Sequence, residues 1–185
     1  MKNNAHQNEP LGERLMRLQK GSPTESLDTL LNSIDNYFNN EIRITPQKHQ
    51  TSLLFLGIHA VALTISEIFW GLKGKYGYKK FLETFVDGNT DDKKFSRVSN
   101  TIHNWRNVLA HQWIASSGYK IEYNYDLNMG FIEKDNKLII NPKIYCQLYL
   151  DAFSVGGKIW QINHLLSDKE LNDAKERFIN KFIEQ

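Results

Sequence analysis

The chain has 185 residues, with 23 Lys and Arg against 21 Asp and Glu for a formal net charge of +2, and 41% hydrophobic and 24% charged residues. That length suits one domain with a sizeable core, and the composition excludes a fibrous or wholly disordered chain, while the small charge excess decides nothing about polyanionic partners. A single cysteine, Cys146, excludes an internal disulfide and a thiolate zinc cluster, which points to a reducing compartment and makes the cytoplasm the expected location.

In chain order, residues 1–22 are polar and interrupted by Pro10, Gly12 and Gly21. They read as a flexible N-terminal tail with one short turn over 11–18, and they lack the apolar stretch of an export signal. A first helix is expected over 23–40, with Leu27, Leu30, Leu31, Ile34, Tyr37 and Phe38 on its inner side. Thr45 before Pro46 is a helix-start pattern and opens a long second helix containing LLFLGIHAVALTISEIFWGL, residues 53–72. That run approaches the roughly 20 apolar residues that span a bilayer, but it contains His59 and Glu67, and Glu67 would be costly in lipid. A central helix surrounded by other helices is expected instead, with no membrane partner; attachment to a membrane is the competing reading. His59 and Glu67 then read as buried polar groups with internal partners, or as groups reaching a functional cleft.

Gly71, Gly74 and Gly77 punctuate the next segment, after which a short helix is expected over 79–86. Lys73, Lys75, Lys79 and Lys80, interleaved with Tyr76 and Tyr78, suit either a surface that binds a nucleic-acid substrate or a solvated loop. A fourth helix beginning near Asp92 carries Phe95, Val98, Ile102, Trp105, Leu109 and Trp113 at steps of three and four, which draws one apolar stripe. From Tyr119 the period becomes two, through Ile121, Tyr123 and Tyr125, then 131–134 and 137–140, with Asp135 and Asn136 placed for a tight hairpin. These predict a small antiparallel β-meander over about 119–140. Asn141 and Pro142 start a fifth helix reaching about Leu166, with Gly156 and Gly157 read as a helix contact, and Ser167 with Glu170 forms a capping box for a sixth. The expected fold is therefore mainly α: one bundle of about five to six helices over 23–185, with the β-meander between the fourth and fifth.

The fourth helix also carries the side chains suited to chemistry. With Arg106 at zero on a helical wheel, Ala110, His103, Asn107 and His111 fall at roughly 40°, 60°, 100° and 140°, a polar sector beside the apolar stripe. Arginine offers a permanently charged fork for phosphate oxygens, and histidine gives or takes a proton near neutral pH. The bland alternatives are a structural ion pair for Arg106, a surface amide for Asn107 and a dipole-stabilised helix end for His111. No HExxH motif or Ser-His or Cys-His nucleophile arrangement is present, and no metal site is expected.

The segment IHNWRNVLAHQW, residues 102–113, resembles the R-x4-6-H signature of the HEPN superfamily, with Asn107 directly after Arg106 as is typical there. The resemblance implies a small helical bundle that dimerises and cleaves RNA without a metal or other cofactor. It implies that Arg106, Asn107 and His111 are catalytic, with His103 contacting the scissile phosphate or a base. It also suggests a toxin or phage-defence effector with a cognate antitoxin protein. Some HEPN toxins continue the motif as R-x4-H-x-Y, and Trp113 stands here in place of that tyrosine. The wheel favours a homodimer, because Arg106 and His111 project roughly 140° apart and two antiparallel copies of the helix would bring them together. A HEPN module that only binds a nucleotide or a partner protein is the alternative.

Overall fold

The computed structural model describes residues 11–112 and 120–182. The chain is mainly helical with one small sheet. Helix α1, Leu11–Lys20, is longer than the short turn expected from the sequence. Leu18 reaches the core, and Lys175 Nζ donates to the carbonyls of Gln19 and Gly21. Helix α2, Pro23–Tyr37, starts where Ser22 accepts from the Glu25 N–H, and buries Leu27, Leu30, Leu31 and Ile34. Its end widens into a π-helical turn, Phe38–Ile42.

The long helix begins later than the Thr45-Pro46 pattern suggested. Thr45 donates through Oγ1 to the carbonyl of Ile42, so its hydroxyl closes the preceding turn instead of capping a new helix. His49 adopts a positive φ of 54°, which breaks the chain direction before helix α3, Thr51–Trp70. At its far end Gly71 takes the left-handed conformation (φ 67°), and Leu72 N–H returns to the carbonyl of Ser66, an arrangement that satisfies otherwise orphaned carbonyls. Arg177 supplies two more donors there, to the carbonyls of Ile68 (2.7 Å) and Phe69 (2.9 Å).

Among the described residues α3 is long and apolar enough to cross a bilayer by length and composition, yet 56% of its most apolar window is buried. It packs on helices α4, Gly74–Phe81; α5, Ser99–Gln112; α6, Pro142–Phe153; and α8, Asp168–Phe182. Leu53 near its start and Leu72 just beyond its end are exposed. Glu67 is not a buried lone charge, since Lys181 of α8 and Lys73 both pair with it.

The glycine-punctuated segment is itself helical. Gly77 lies so close to the Leu72 carbonyl that a Cβ would collide with it, so the residue that looked like a breaker permits α4 to pack on α3. A π-helical turn, Leu82–Val86, follows. Two short 3-10 turns, Asp91–Lys93 and Phe95–Val98, precede α5, which therefore starts later than Asp92.

The sheet departs from a meander. Strands β1, Ile121–Tyr123, β2, Phe131–Lys134, and β3, Lys137–Ile140, lie in the order β1-β3-β2, with β1 parallel and β2 antiparallel to β3. The β2-β3 hairpin turns through Asp135 (φ 50°) and Asn136 (φ 62°), as their tolerance of positive φ predicts. The difference arises in the connection 124–130. Asn124 N–H donates to the carbonyl of Ile140, and the Asn141 amide to that of Leu127 (2.6 Å), so the loop wraps the end of β3 and leaves β1 on its far side. The strands bury Ile121, Phe131, Leu138 and Ile140, and Phe131 meets Phe95 at 5.2 Å.

The fifth helix is also shorter than expected. It ends at Phe153, and a 3-10 turn, Lys158–Gln161, with helix α7, Ile162–Leu165, covers the remaining stretch. Gly156 has φ 79°, and a Cβ on Gly157 would overlap the carbonyl oxygens of Asp151 and Ala152. This is a tight exit from a helix, not a contact between helices. Gly157→Ala should destabilise the fold by about 1–3 kcal/mol, the usual cost of forced overlap, read as a lower urea midpoint with an unchanged slope. The Ser167-Glu170 capping box forms reciprocally, with Ser167 N–H donating to Glu170 Oε2 (2.8 Å) and Glu170 N–H to Ser167 Oγ (3.4 Å).

Candidate functional site on helix α5

Helix α5 is fixed by its apolar stripe. Val98, Ile102, Trp105 and Leu109 are buried, and Trp105 meets Phe55 of α3 and Tyr123 of β1 edge-on, each at 5.4 Å. Sheet and core helix together therefore set the rotation of α5, which leaves His103, Arg106 and Asn107 half-buried at its margin and Ala110 exposed. His111 belongs to the same helix, but its side chain, like Trp113 and Tyr119, lies outside the described residues.

Arg106 donates from Nη1 to Asn107 Oδ1 (3.2 Å), while its Nε is buried without a partner. Among the described residues no carboxylate pairs with it. Asn107 thus has its carbonyl committed to Arg106. Behind the guanidinium stands a pair that the sequence did not join: His59 Nε2 of α3 lies 2.9 Å from His103 Nδ1. His59 is fully buried, and Tyr78 of α4 packs on its ring at 4.3 Å. Burial first, then the charges of Arg106 and His103, push the His59 imidazole down to about 3. Burial, Arg106 and Lys75 likewise lower His103.

The depressed value links the site to stability. The folded-state value of His59 lies below its ordinary 6.5, so as pH falls the unfolded chain binds a proton that the folded chain refuses. Stability contributed by the neutral ring is complete above about 6.5 and is lost progressively toward about 3. Between pH 7 and pH 5 the loss should be about 2 kcal/mol, and His59→Gln should flatten it, measured by urea unfolding at the two pH values.

The four lysines separate once their segment is helical. Lys75 and Lys79 project roughly 40° apart on α4, whereas Lys80 is roughly 140° from Lys75. Lys73 pairs with Glu67 (3.0 Å) and Lys79 with Glu83 (3.7 Å), while Lys80 sits over the Trp70 ring at 5.5 Å. Lys75 alone of the four acts on His103, and it lies beside the exposed Tyr76. A separate cleft of about 520 Å³, lined by Arg43, Lys143, Cys146 and Asp151 among others, contains no α5 residue. Cys146 is buried there and its thiol is pushed up to about 12 by desolvation, so it is not an activated nucleophile.

The arrangement is a cationic, hydrogen-bond-donating margin: the Arg106 guanidinium, the Lys75 ammonium nearby, two imidazoles and an amide, with no neutralising carboxylate among the described residues. Such a margin suits an anion whose oxygens accept several hydrogen bonds. The sequence offered His59 as a buried polar group with an internal partner or as one reaching a cleft, but did not identify His103 as that partner. The one available signal was a histidine inside an otherwise apolar helix, and its partner lies 44 residues away in the chain. No family model, curated protein or solved structure matches the chain.

Proposed function

We propose that the chain is a metal-independent endoribonuclease of HEPN type, acting as a homodimer and serving as a toxin or phage-defence effector. The observation that carries this reading is Arg106: a half-buried guanidinium without a carboxylate partner among the described residues, one residue before Asn107 and five before His111. An arginine left in that state is arranged for an anion that arrives from outside, and phosphodiester oxygens match its fork. In the proposed reaction a 2′-hydroxyl attacks the adjacent phosphate, His111 transfers the proton and Arg106 stabilises charge developing on the phosphorane. Asn107 holds the guanidinium, and Lys75 adds positive potential where the strand enters.

The roughly 140° between Arg106 and His111 on one helix supports a site shared by two copies. Subunit exchange tests this directly. Arg106→Ala and His111→Ala should each be inactive, yet after mixing, the heterodimer contains one site with Arg106 from one chain and His111 from the other. Cleavage of pooled RNA should return to about a quarter of the wild-type level: statistical exchange makes half the dimers mixed, and each has one of two sites intact. A mixture as inactive as its components, with exchange verified by mass spectrometry, contradicts a shared site. Cleavage by neither variant nor wild type favours the binding module.

A further inference from the structure

We propose that His103 and Arg106 form a phosphate-oxygen subsite in which His103 serves as an Nε2–H donor, and that buried His59 is the positioning residue that fixes its tautomer. The inference rests on the ribonuclease reading for the identity of the ligand, a phosphodiester of single-stranded RNA. It assigns His103 a phosphate oxygen and a tautomer where the sequence left phosphate and base open.

The argument follows from where hydrogens can sit. Between His59 Nε2 and His103 Nδ1, 2.9 Å apart, one nitrogen must donate and the other accept. If His103 donated, the remaining His59 proton would sit on Nδ1, which is buried without a partner. Orphaned buried N–H groups are rare in folded proteins, and under-satisfied acceptors less so. His59 therefore donates from Nε2, His103 accepts at Nδ1, and the His103 proton resides on Nε2. That nitrogen makes no hydrogen bond among the described residues and does not belong to the buried unpartnered atoms, so it is open to a ligand. One helical turn further on is Arg106, on the same side of α5.

The same geometry disfavours His103 as the proton carrier. To become an imidazolium it needs a proton on Nδ1, which His59 already fills, so His59 would have to move its own proton onto the partnerless Nδ1. The charged groups around the pair act in the same direction. Arg106 on α5 and Lys75 on α4 are positive, Tyr78 on α4 is held neutral by burial, and α3 contributes no carboxylate to the pair. Burial and these charges thus bias His103 toward the neutral donor form, which leaves proton transfer to His111.

The test is long-range 1H–15N spectroscopy of the histidine rings in the full chain from pH 5 to 8, with inorganic phosphate and with a non-cleavable 2′-O-methyl oligoribonucleotide as probes. The expected spectra place the proton on Nε2 in both rings, with His103 titrating below the ordinary histidine value, and each probe shifts the His103 Nε2–H resonance. His103→Ala should weaken binding of the oligoribonucleotide by roughly tenfold or more, the range for one hydrogen bond to a charged group. In His59→Phe the titration of His103 should move up toward the ordinary histidine value, and His59→Gln, which still offers an N–H, should keep it low. A proton on His103 Nδ1, ordinary titration in the wild-type chain, or unchanged binding in His103→Ala overturns the proposal. No cleavage is read, so a protein that binds through His103 without cutting RNA retires the ribonuclease reading alone. One that cuts RNA with a freely titrating His103 retires this inference alone.

Discussion

Arg106→Ala and His111→Ala should each reduce RNA cleavage by a factor of about 10² or more, and both proteins should remain folded dimers. Each side chain supplies something the other cannot. In the proposed reaction Arg106 stabilises charge that grows in the transition state and His111 carries the proton, so either loss would remove a contribution specific to the reacting state. Arg106 is half-buried and its Nε lacks a partner, which means that truncation removes an unneutralised charge without stranding a carboxylate. Melting temperature should therefore change little while the rate collapses. A rate loss that tracks loss of folded protein would instead make Arg106 a structural residue. Arg106→Lys distinguishes charge from geometry: it keeps the charge but loses the planar fork, and should recover only part of the activity.

Trp105→Ala should behave in the opposite way. The ring is 5% exposed and is held edge-on by Phe55 and Tyr123, each at 5.4 Å, so truncation leaves a cavity where α3, α5 and the sheet meet. The expected cost is about 3–5 kcal/mol, a large share of the roughly 5–15 kcal/mol that stabilises an ordinary domain. Urea unfolding followed by far-ultraviolet circular dichroism measures it, and a loss below about 1 kcal/mol would show that the neighbours close the cavity. Neighbouring residues 105 and 106 thus separate packing from chemistry within one turn of one helix.

How much of this was legible in the sequence depends on the range of the forces involved. Local patterns read correctly: the apolar stripe of α5 from Val98 to Leu109, the Asp135-Asn136 hairpin and the Ser167-Glu170 box each require only neighbours within a few residues. Readings failed where a local signal had two outlets. Thr45 spends its hydroxyl on the turn behind it, and Gly156-Gly157 makes a tight exit from α6. Strand order was not legible, because it is decided by a loop wrapping β3 through the hydrogen bonds of Asn124 and Asn141, and alternation along a strand says nothing of which neighbour it takes. The same holds for the site. Arg106, Asn107 and His103 share a helical margin that a wheel can draw, whereas the pairing of His59 with His103 emerges only when α3 packs on α5, and the four lysines divide only once α4 is a helix.

The most direct measurement of the proposed activity is incubation of the purified full chain with pooled cellular RNA in excess EDTA, with the product ends identified chemically. Cleavage should persist and leave 2′,3′-cyclic phosphate and 5′-hydroxyl ends, the products of 2′-hydroxyl attack assisted by His111 and Arg106. Intact RNA after incubation with folded protein, or cleavage that EDTA abolishes, would contradict it.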